Sequence, residues 1–430
     1  MPTPDRPAPP TANAPPGPPL DPEEAWRRLL PRLAPLAAEP LARRAARGRV
    51  LAAPLAATVD VPPADVSAMD GYALAGPLAD GDSRPVGGRV AAGDPPGAAL
   101  PPGAALKIMT GAPLPEGADR VVPVELTDRG AGRVEVRRAT ARGAHVRRRG
   151  EVVRAGDELL AAGTPLGPAA LSVAAAHGHA ELLVHRAPRV AVLTTGDEVV
   201  PPEEEPGPGR LRDSHTDLLL AAGAAIGLAF TPLGIAPDDP AEIARRVVRG
   251  LEDHDVLLLG GGVSAGELDF VEEVLGELGF RALVTSVAVQ PGKPLVVAAR
   301  GEEGDGGVGG GRRLVFGLPG NPASVLVTFH LFARPALLRL AGHRASPFDA
   351  ARPGLLAAPA PGARDRHRFL PAAIEPSGDP GAPPRLAPLR LAGSHDLRAY
   401  ARASALLWIP PGSPPAEAGA PCRYLPLPPL

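Results

Sequence analysis

Between Arg189 and Leu340, short and continuously apolar runs alternate with amphipathic stretches, and few folds accept a chain written that way. RVAVLTT, DVLLLGG, PLVVAAR and RRLVFGL are apolar at every second position and at the positions between. Such strands need cover on both faces. DSHTDLLLAAGAAIGLAF, AEIARRVVRGLEDH, DFVEEVLGELG and NPASVLVTFHLFARPALLRLAG read as the helices that supply it. The alternation predicts an α/β domain over residues 187–344 built on a doubly wound, mainly parallel sheet.

In such sheets ligands bind beyond the carboxyl ends of the strands. Three polar, glycine-rich loops leave strands there: Thr194–Glu198 (TTGDE), Gly260–Asp269 (GGGVSAGELD) and Gly317–Ser324 (GLPGNPAS). Glycines let the backbone approach an anion, and exposed N–H groups at a helix start favour phosphate. Asn321 and Pro322 are suited to the cap and first turn of the last helix. None of the loops is a GxxxxGK[ST] phosphate loop or a GxGxxG dinucleotide turn, which disfavours a generic NTPase or Rossmann reading.

The rest of the chain reads differently. Residues 1–20 are proline-rich without apolar periodicity, as expected of a disordered tail. Asp21 and Pro22 open a helical region, with helical pieces expected to about Arg47 despite Pro31, Pro35 and Pro40. Short apolar runs broken by Gly and Pro make residues 53–149 a mostly β insertion, after which a second helical stretch at Pro168–Ala176 and a strand at Glu181–His185 are expected. The glycine-rich 301–311 stretch reads as a flexible loop, and residues 345–430 as a small β domain.

Composition narrows the functional classes. Lys+Arg 45 against Asp+Glu 47 gives a net charge of −2, which argues against a nucleic-acid binder that grips phosphates. The lone Cys422 excludes an intrachain disulfide and a cysteine-based zinc site. No uninterrupted apolar run approaches the roughly 18–20 residues of a membrane span. No apolar segment near the N-terminus suggests a signal peptide, so a cytoplasmic protein is expected. Of the 45 basic residues 43 are arginine, the lysines being Lys107 and Lys293. Asparagine occurs only at Asn13 and Asn321, and glutamine only at Gln290. Residues that resist this bias mark positions where chemistry sets identity. Lys293, in the turn QPGKP, is therefore read as an anion contact rather than a solvated turn residue. Carboxylates beside the loops, among them Glu198, Asp238 and Asp269, suit Mg²⁺, which takes one or two carboxylates plus phosphate oxygens and water. The alternative for Asp238–Asp239 is a helix cap before Pro240, and for Asp70 a turn residue before a glycine.

Seven motifs, in order, then resemble one family. They are SAMDGYA (67–73), IMTGAPLPEGAD (108–119), TGDE (195–198), GGVSAGELD (261–269), PGKP (291–294), GLPGNPAS (317–324) and GSHDL (393–397). The chain from about residue 21 onward resembles the molybdopterin molybdenumtransferases, which include MoeA and the E-domain of gephyrin. The resemblance implies a two-segment helical/β domain (21–52 and 150–186) with the β domain 53–149 inserted into it, a C-terminal β-barrel for 345–430 and a molybdopterin-binding role for the α/β domain. It implies ligation of molybdate to adenylylated molybdopterin, with Mg²⁺, release of AMP, a homodimer with composite sites, and hand-over of the product to molybdoenzymes. Carried over by motif, Asp70, Thr110, Glu198, Asp238 and Asp269 are the catalytic set, with Glu198, Asp238 and Asp269 also on the metal. Gly196, Gly261, Gly262, Ser264, Gly266, Lys293, Pro294, Gly320, Asn321, Pro322 and Ser324 would bind the substrates. In a dimer, Asp70 of one subunit would face the α/β domain of the other.

Two positions depart from the family pattern. Val152 stands where an aspartate is usual, after GE, and His215 stands where a DSN or DTN motif has asparagine. These departures leave room for a tungstate-specific insertase or for a non-catalytic scaffold that keeps the fold. A scaffold would not need Glu198, Asp269 and Lys293 together. A single-domain molybdopterin adenylyltransferase would not need residues 21–186 and 345–430.

Overall fold

The computed structural model describes residues 18–262, 270–301, 312–376 and 381–427. The expected tail up to residue 17, the glycine-rich 302–311 and the Val263–Asp269 loop lie outside the described residues. The chain divides into two compact units. The smaller comprises Pro40–Arg47 and Leu51–Leu183; the larger holds the described parts of Met1–Glu39, Gly48–Val50 and Val184–Leu430.

The larger unit starts with α1 (Pro22–Leu29), where Asp21 accepts a hydrogen bond from the Glu23 N–H and Pro22 takes the first helical position. Its apolar face buries Ala25, Trp26 and Leu29. The expected helical region ends sooner than its composition suggested: a 3₁₀ turn at Leu30–Arg32 is followed by an extended Ala38–Ala42. Pro31, Pro35 and Pro40 each remove a backbone donor, so no regular helix continues through them.

In the smaller unit β1 (Gly71–Leu74), β2 (Ser83–Val90), β3 (Ala105–Ile108), β4 (Arg120–Pro123) and β5 (Arg133–Glu135) form a sheet in the order β4-β1-β3-β2-β5. Its two faces carry separate apolar clusters, Tyr72, Leu74 and Val122 on one and Ala73, Ile108 and Val121 on the other. The helix α2 (Pro168–Ala176) has the bounds expected from its sequence.

The α/β part of the larger unit is the doubly wound sheet. Its strands are β6 (Val190–Thr195), β7 (Phe230–Ala236), β8 (Val256–Gly260), β9 (Arg281–Ser286), β11 (Pro294–Arg300) and β12 (Arg313–Leu318), in the order β7-β6-β8-β12-β11-β9. The β6–β7, β6–β8 and β8–β12 pairs are parallel; β12–β11 and β11–β9 are antiparallel. Alternation along each central strand feeds two cores. Val190, Val192, Val256 and Leu258 enter one, with Leu219 of α3 (His215–Ala224) and Val325 of α6 (Pro322–Leu340). Ala191, Leu193, Leu257 and Leu259 enter the other, with Ile243 of α4 (Pro240–Asp253) and Val274 of α5 (Val271–Glu277). Helix α6 contains a π-helical turn at Phe329–Ala333. It is long and apolar enough to cross a membrane, at mean hydropathy 1.3, yet 72% of that span is buried inside the protein, as in a core helix.

One strand, β7, was not legible in the sequence. Phe230 read as the end of a helix, and Pro232 and Gly234 interrupt the pattern. Both are tolerated because β7 lies at the edge of the sheet and, among the described strands, pairs with β6 alone.

The C-terminal region is a closed barrel. Strands β13 (Arg352–Leu356), β14 (His367–Glu375), β15 (Arg385–Pro388), β16 (Ala405–Ile409) and β17 (Pro421–Pro426) run β14-β15-β13-β17-β16, and β16 pairs back onto β14. A short β10 (Val289–Gln290) adds in parallel to β14, with Gln290 opposite Arg368. That pairing ties the turn that carries Lys293 to the barrel.

Candidate active site

The loops beyond β6, β8 and β12 converge on a cavity of about 460 Å³. Gly196, Glu198, Asp238, Gly261, Gly262, Gly320, Asn321 and Pro322 of the sequence-derived set all line it. Ser264, Gly266 and Asp269 lie outside the described residues. The adjacent aspartates at the end of the β7 loop divide their work. Asp239 accepts from the Glu242 N–H at 2.7 Å and caps α4. Asp238 exchanges backbone–carboxylate hydrogen bonds with Asp197 (3.3 and 3.1 Å) and lines the cavity. The cap explanation therefore belongs to Asp239, and Asp238 stays beside Glu198 at the cavity.

Asp213, which sequence reading did not single out, is buried in the same wall. Its Oδ1 accepts from the His215 N–H (2.9 Å), the Thr216 N–H (3.2 Å) and the Thr194 hydroxyl (3.3 Å). Its Oδ2 accepts from the Thr216 hydroxyl at 2.6 Å. One carboxylate thus ties the end of β6 to the start of α3 and balances that helix's positive end. The DSH triplet carried this information, but only the histidine drew attention.

A second cavity, of about 440 Å³, opens where the QPGKP turn meets the barrel. Lys293, Pro294, Asn321 and Ser324 of the sequence-derived set line it. Arg366, Arg368 and Ser394 line it too, and these the sequence reading missed. In a chain with 43 arginines two more carry no signal. Among the described residues neither arginine's Nε has a hydrogen-bond partner, although Arg366 Nε lies 3.6 Å from Asp365 Oδ1, and the Arg368 Nη1 donates to the Gly362 carbonyl at 3.2 Å. Between them His367 accepts from the Trp408 indole N–H at 2.9 Å. Gly292 is required here: at φ +117° its absent Cβ would lie 2.6 Å from Thr328 Cγ2 of α6.

Asn321 lines both cavities. It sits at the N-cap position of α6, yet its side chain makes no capping hydrogen bond. The first cavity thus presents Glu198, Asp213 and Asp238 beside Arg212, which is paired with Glu205, and the second Lys293, Arg366 and Arg368, with one amide side chain common to the two.

In the smaller unit the structure brings Asp70 and Thr110 together. Asp70 Oδ1 accepts from the Thr110 N–H at 2.7 Å and from its hydroxyl at 2.8 Å. Those hydrogen bonds, aided by the Lys107 charge, hold the Asp70 carboxyl below the usual carboxylate range. Val152 is 69% exposed. Its neighbour Glu151 accepts from the Arg148 N–H at 2.7 Å, a local turn contact.

Three successive segments of the chain match known regions. Residues 20–178 match the MoeA N-terminal region (domain I and II), residues 191–339 a probable molybdopterin binding domain, and residues 353–427 the MoeA C-terminal region (domain IV). The chain is 37% identical over 379 residues to molybdopterin molybdenumtransferase 2 of Mycobacterium tuberculosis, covering 85% of this chain and 89% of the relative. It is 36% identical over 304 residues to the molybdopterin molybdenumtransferase of a Nostoc species, covering 69% of this chain and 68% of that one. A crystal structure of the molybdopterin biosynthesis MoeA protein from Pyrococcus horikoshii OT3 superposes with a TM-score of 0.77 at 25% identity, over 94% of this chain and 99% of that one. With ordered matches along nearly its whole length and this fold, the chain belongs to the molybdopterin molybdenumtransferase family.

Proposed function

We propose that the protein completes the molybdenum cofactor by ligating molybdate to the dithiolene of adenylylated molybdopterin, with release of AMP. The observation that carries this reading is the polarity of the two cavities that share Asn321. A tetrahedral oxyanion suits the second, where Lys293 and the two arginines supply charge and Ser324 and Asn321 supply hydrogen-bonding groups. The phosphate-bearing substrate suits the first, where Gly196, Gly261, Gly262 and Gly320 let the backbone approach. Ser264 and Gly266 join that set by motif alone.

Mg²⁺ fits the donor set. Glu198 and Asp238 put two carboxylates on one cavity, enough for a hard cation that keeps waters and takes phosphate oxygens. Among the described residues no group of three or more acidic, histidine or cysteine side chains could hold a metal ion. Asp269 is proposed as a third ligand by motif alone. The metal would supply charge neutralisation at the phosphate oxygens. Lys293, Arg366 and Arg368 hold the oxyanion, and Glu198 and Asp238 orient the phosphate end of the partner substrate.

Asp70 and Thr110 belong to the smaller unit, and the loops to the larger. We take the working form to be a homodimer in which Asp70 of one subunit completes the site of the other, handing its product on to molybdoenzymes. Mixing Asp70→Ala protein with Glu198→Ala protein tests this. After subunit exchange one site of each mixed dimer carries both lesions and the other none, so about half of the sites of each mixed dimer recover. Demonstrated exchange without rescue would place both groups in one chain's site.

A further inference from the structure

The cations of the second cavity come from two distant stretches of chain that one small knot of backbone holds together. Arg366 and Arg368 flank His367 at the start of β14, and Lys293 lies in the turn after β10. In the parallel β10–β14 pair Val289 stands opposite His367 and Gln290 opposite Arg368. The His367 N–H donates to the Ala288 carbonyl at 2.9 Å, and the Val287 N–H closes the lysine turn on the Lys293 carbonyl at 3.0 Å. Leu20 adds a third piece. Its N–H donates to the Ser286 carbonyl at 3.0 Å, and its carbonyl accepts from the Ala288 N–H at 2.7 Å.

Successive side chains of a strand point to opposite faces. Arg366 and Arg368 line the cavity, whereas the imidazole between them does not and is turned to the other face. There its Nδ1 accepts from the Trp408 indole N–H at 2.9 Å. An indole nitrogen only donates, which leaves the ring hydrogen on Nε2, 3.2 Å from Asp21 Oδ2. Both braces are themselves fixed. Trp408, 5% exposed, stacks on Phe369 at 5.8 Å between ring centroids, with the Arg423 guanidinium 4.5 Å over its ring. Asp21 caps α1 through its other oxygen, which accepts from the Glu23 N–H at 2.9 Å. The Asp21 side chain is 55% exposed, so its contact with His367 contributes little to stability. What it contributes is direction.

We propose that His367, braced between Asp21 and Trp408, is a positioning residue for oxyanion binding. It fixes the start of β14 against β10, and thereby the reach of Arg366 and Arg368 toward the anion that Lys293 also holds. This role rests on the reading of the second cavity as the molybdate site. A guanidinium binds an oxyanion through a fork of fixed geometry, so a small turn of the strand costs affinity. Asp21, His367 and Trp408 do not line the first cavity, and binding of the adenylylated substrate should be indifferent to them.

His367→Leu removes both side-chain hydrogen bonds and is followed on the full chain by calorimetry with molybdate alone, by AMP release and by Tm. Molybdate should bind about fivefold more weakly, the scale of one or two hydrogen bonds. Turnover at saturating molybdate and the Kd of adenylylated molybdopterin should stay within about twofold of wild type. His367→Asn, whose amide oxygen can accept from Trp408 as Nδ1 does, should recover most of the loss. In the Arg366→Ala/Arg368→Ala background His367→Leu should add less than about twofold, since its effect passes through those arginines. Trp408→Phe keeps the ring stack and deletes the donor, and it should weaken molybdate binding selectively even if the leucine variant folds poorly. Wild-type molybdate affinity beside a lowered Tm would overturn the role and make His367 a structural residue. An equal loss of affinity for both substrates would overturn it too. If the wild type binds molybdate without releasing AMP, the functional reading fails and the molybdate titrations of the variants still decide the brace. A wild type that binds no molybdate would overturn both.

Discussion

Thr110 holds Asp70 at a single carboxylate oxygen, donating to Oδ1 from its backbone N–H at 2.7 Å and from its hydroxyl at 2.8 Å. The other oxygen, Oδ2, is thereby presented in a fixed direction while the charge is kept, a useful arrangement for a carboxylate with a task outside its own unit. Thr110→Val deletes the hydroxyl bond and keeps the backbone one. The Asp70 pKa, followed by carboxyl NMR, should rise toward its ordinary value. Because the folded value is depressed, the stability from this contact is present above the unfolded carboxyl range and is lost as pH falls through the folded value. Thr110→Val should therefore flatten the acid limb of the stability curve, and an unmoved Asp70 pKa would show that the hydroxyl bond is immaterial.

Lys293 and Arg368 line one cavity but are held differently, Lys293 in an exposed turn and Arg368 on a barrel strand opposite Gln290. Lys293→Ala and Arg368→Ala should each raise the molybdate concentration needed for half-maximal turnover by roughly tenfold or more, the scale of one charge-assisted hydrogen bond. Affinity for adenylylated molybdopterin should be unchanged in both. A normal molybdate titration in the Lys293 variant would return that residue to the status of a turn residue.

Asp255 is the principal buried acid of the α/β part. Arg186 donates to both of its oxygens, at 2.6 and 2.8 Å, and the Arg189 N–H adds a bond at 2.8 Å. Burial pushes the Asp255 carboxyl up, but the Arg186 hydrogen bonds, the Arg189 N–H and the arginine charges outweigh it and hold the carboxyl below its usual range. Asp255→Asn should destabilise the protein by about 2–3 kcal/mol in urea unfolding, less than for a fully buried pair because Arg186 is partly exposed. The folded value is the lower one, so the wild type should lose this stability as pH falls below the ordinary carboxylate range, and the variant should not.

The strands and helices of residues 189–340 were legible because burial on both sheet faces leaves an unmistakable apolar text, as in Val256–Gly260. β7 was hidden because an edge strand can carry Pro232 and Gly234 without penalty. At the site, the residues that break the compositional habit of the chain were visible: Lys293 and Asn321 both line cavities. Asn321 was read as a cap; it occupies that position, but its side chain does not cap the helix. Arg366 and Arg368 could not be seen, since their residue type is the habit itself and they lie just before and within a barrel strand far along the chain. Thr195 and His215 were present in the motifs, but only three-dimensional packing shows that both line the first cavity.

The central claim is tested most directly by incubating the purified full-length protein with adenylylated molybdopterin, Mg²⁺ and molybdate and following AMP. The account predicts molybdate-dependent AMP release at rates typical of an enzyme. It also predicts less than about tenfold change when Val152 is replaced by aspartate, the barrier difference then being under roughly 1.4 kcal/mol. No AMP from a protein that binds adenylylated molybdopterin, with molybdate and with tungstate alike, would contradict it.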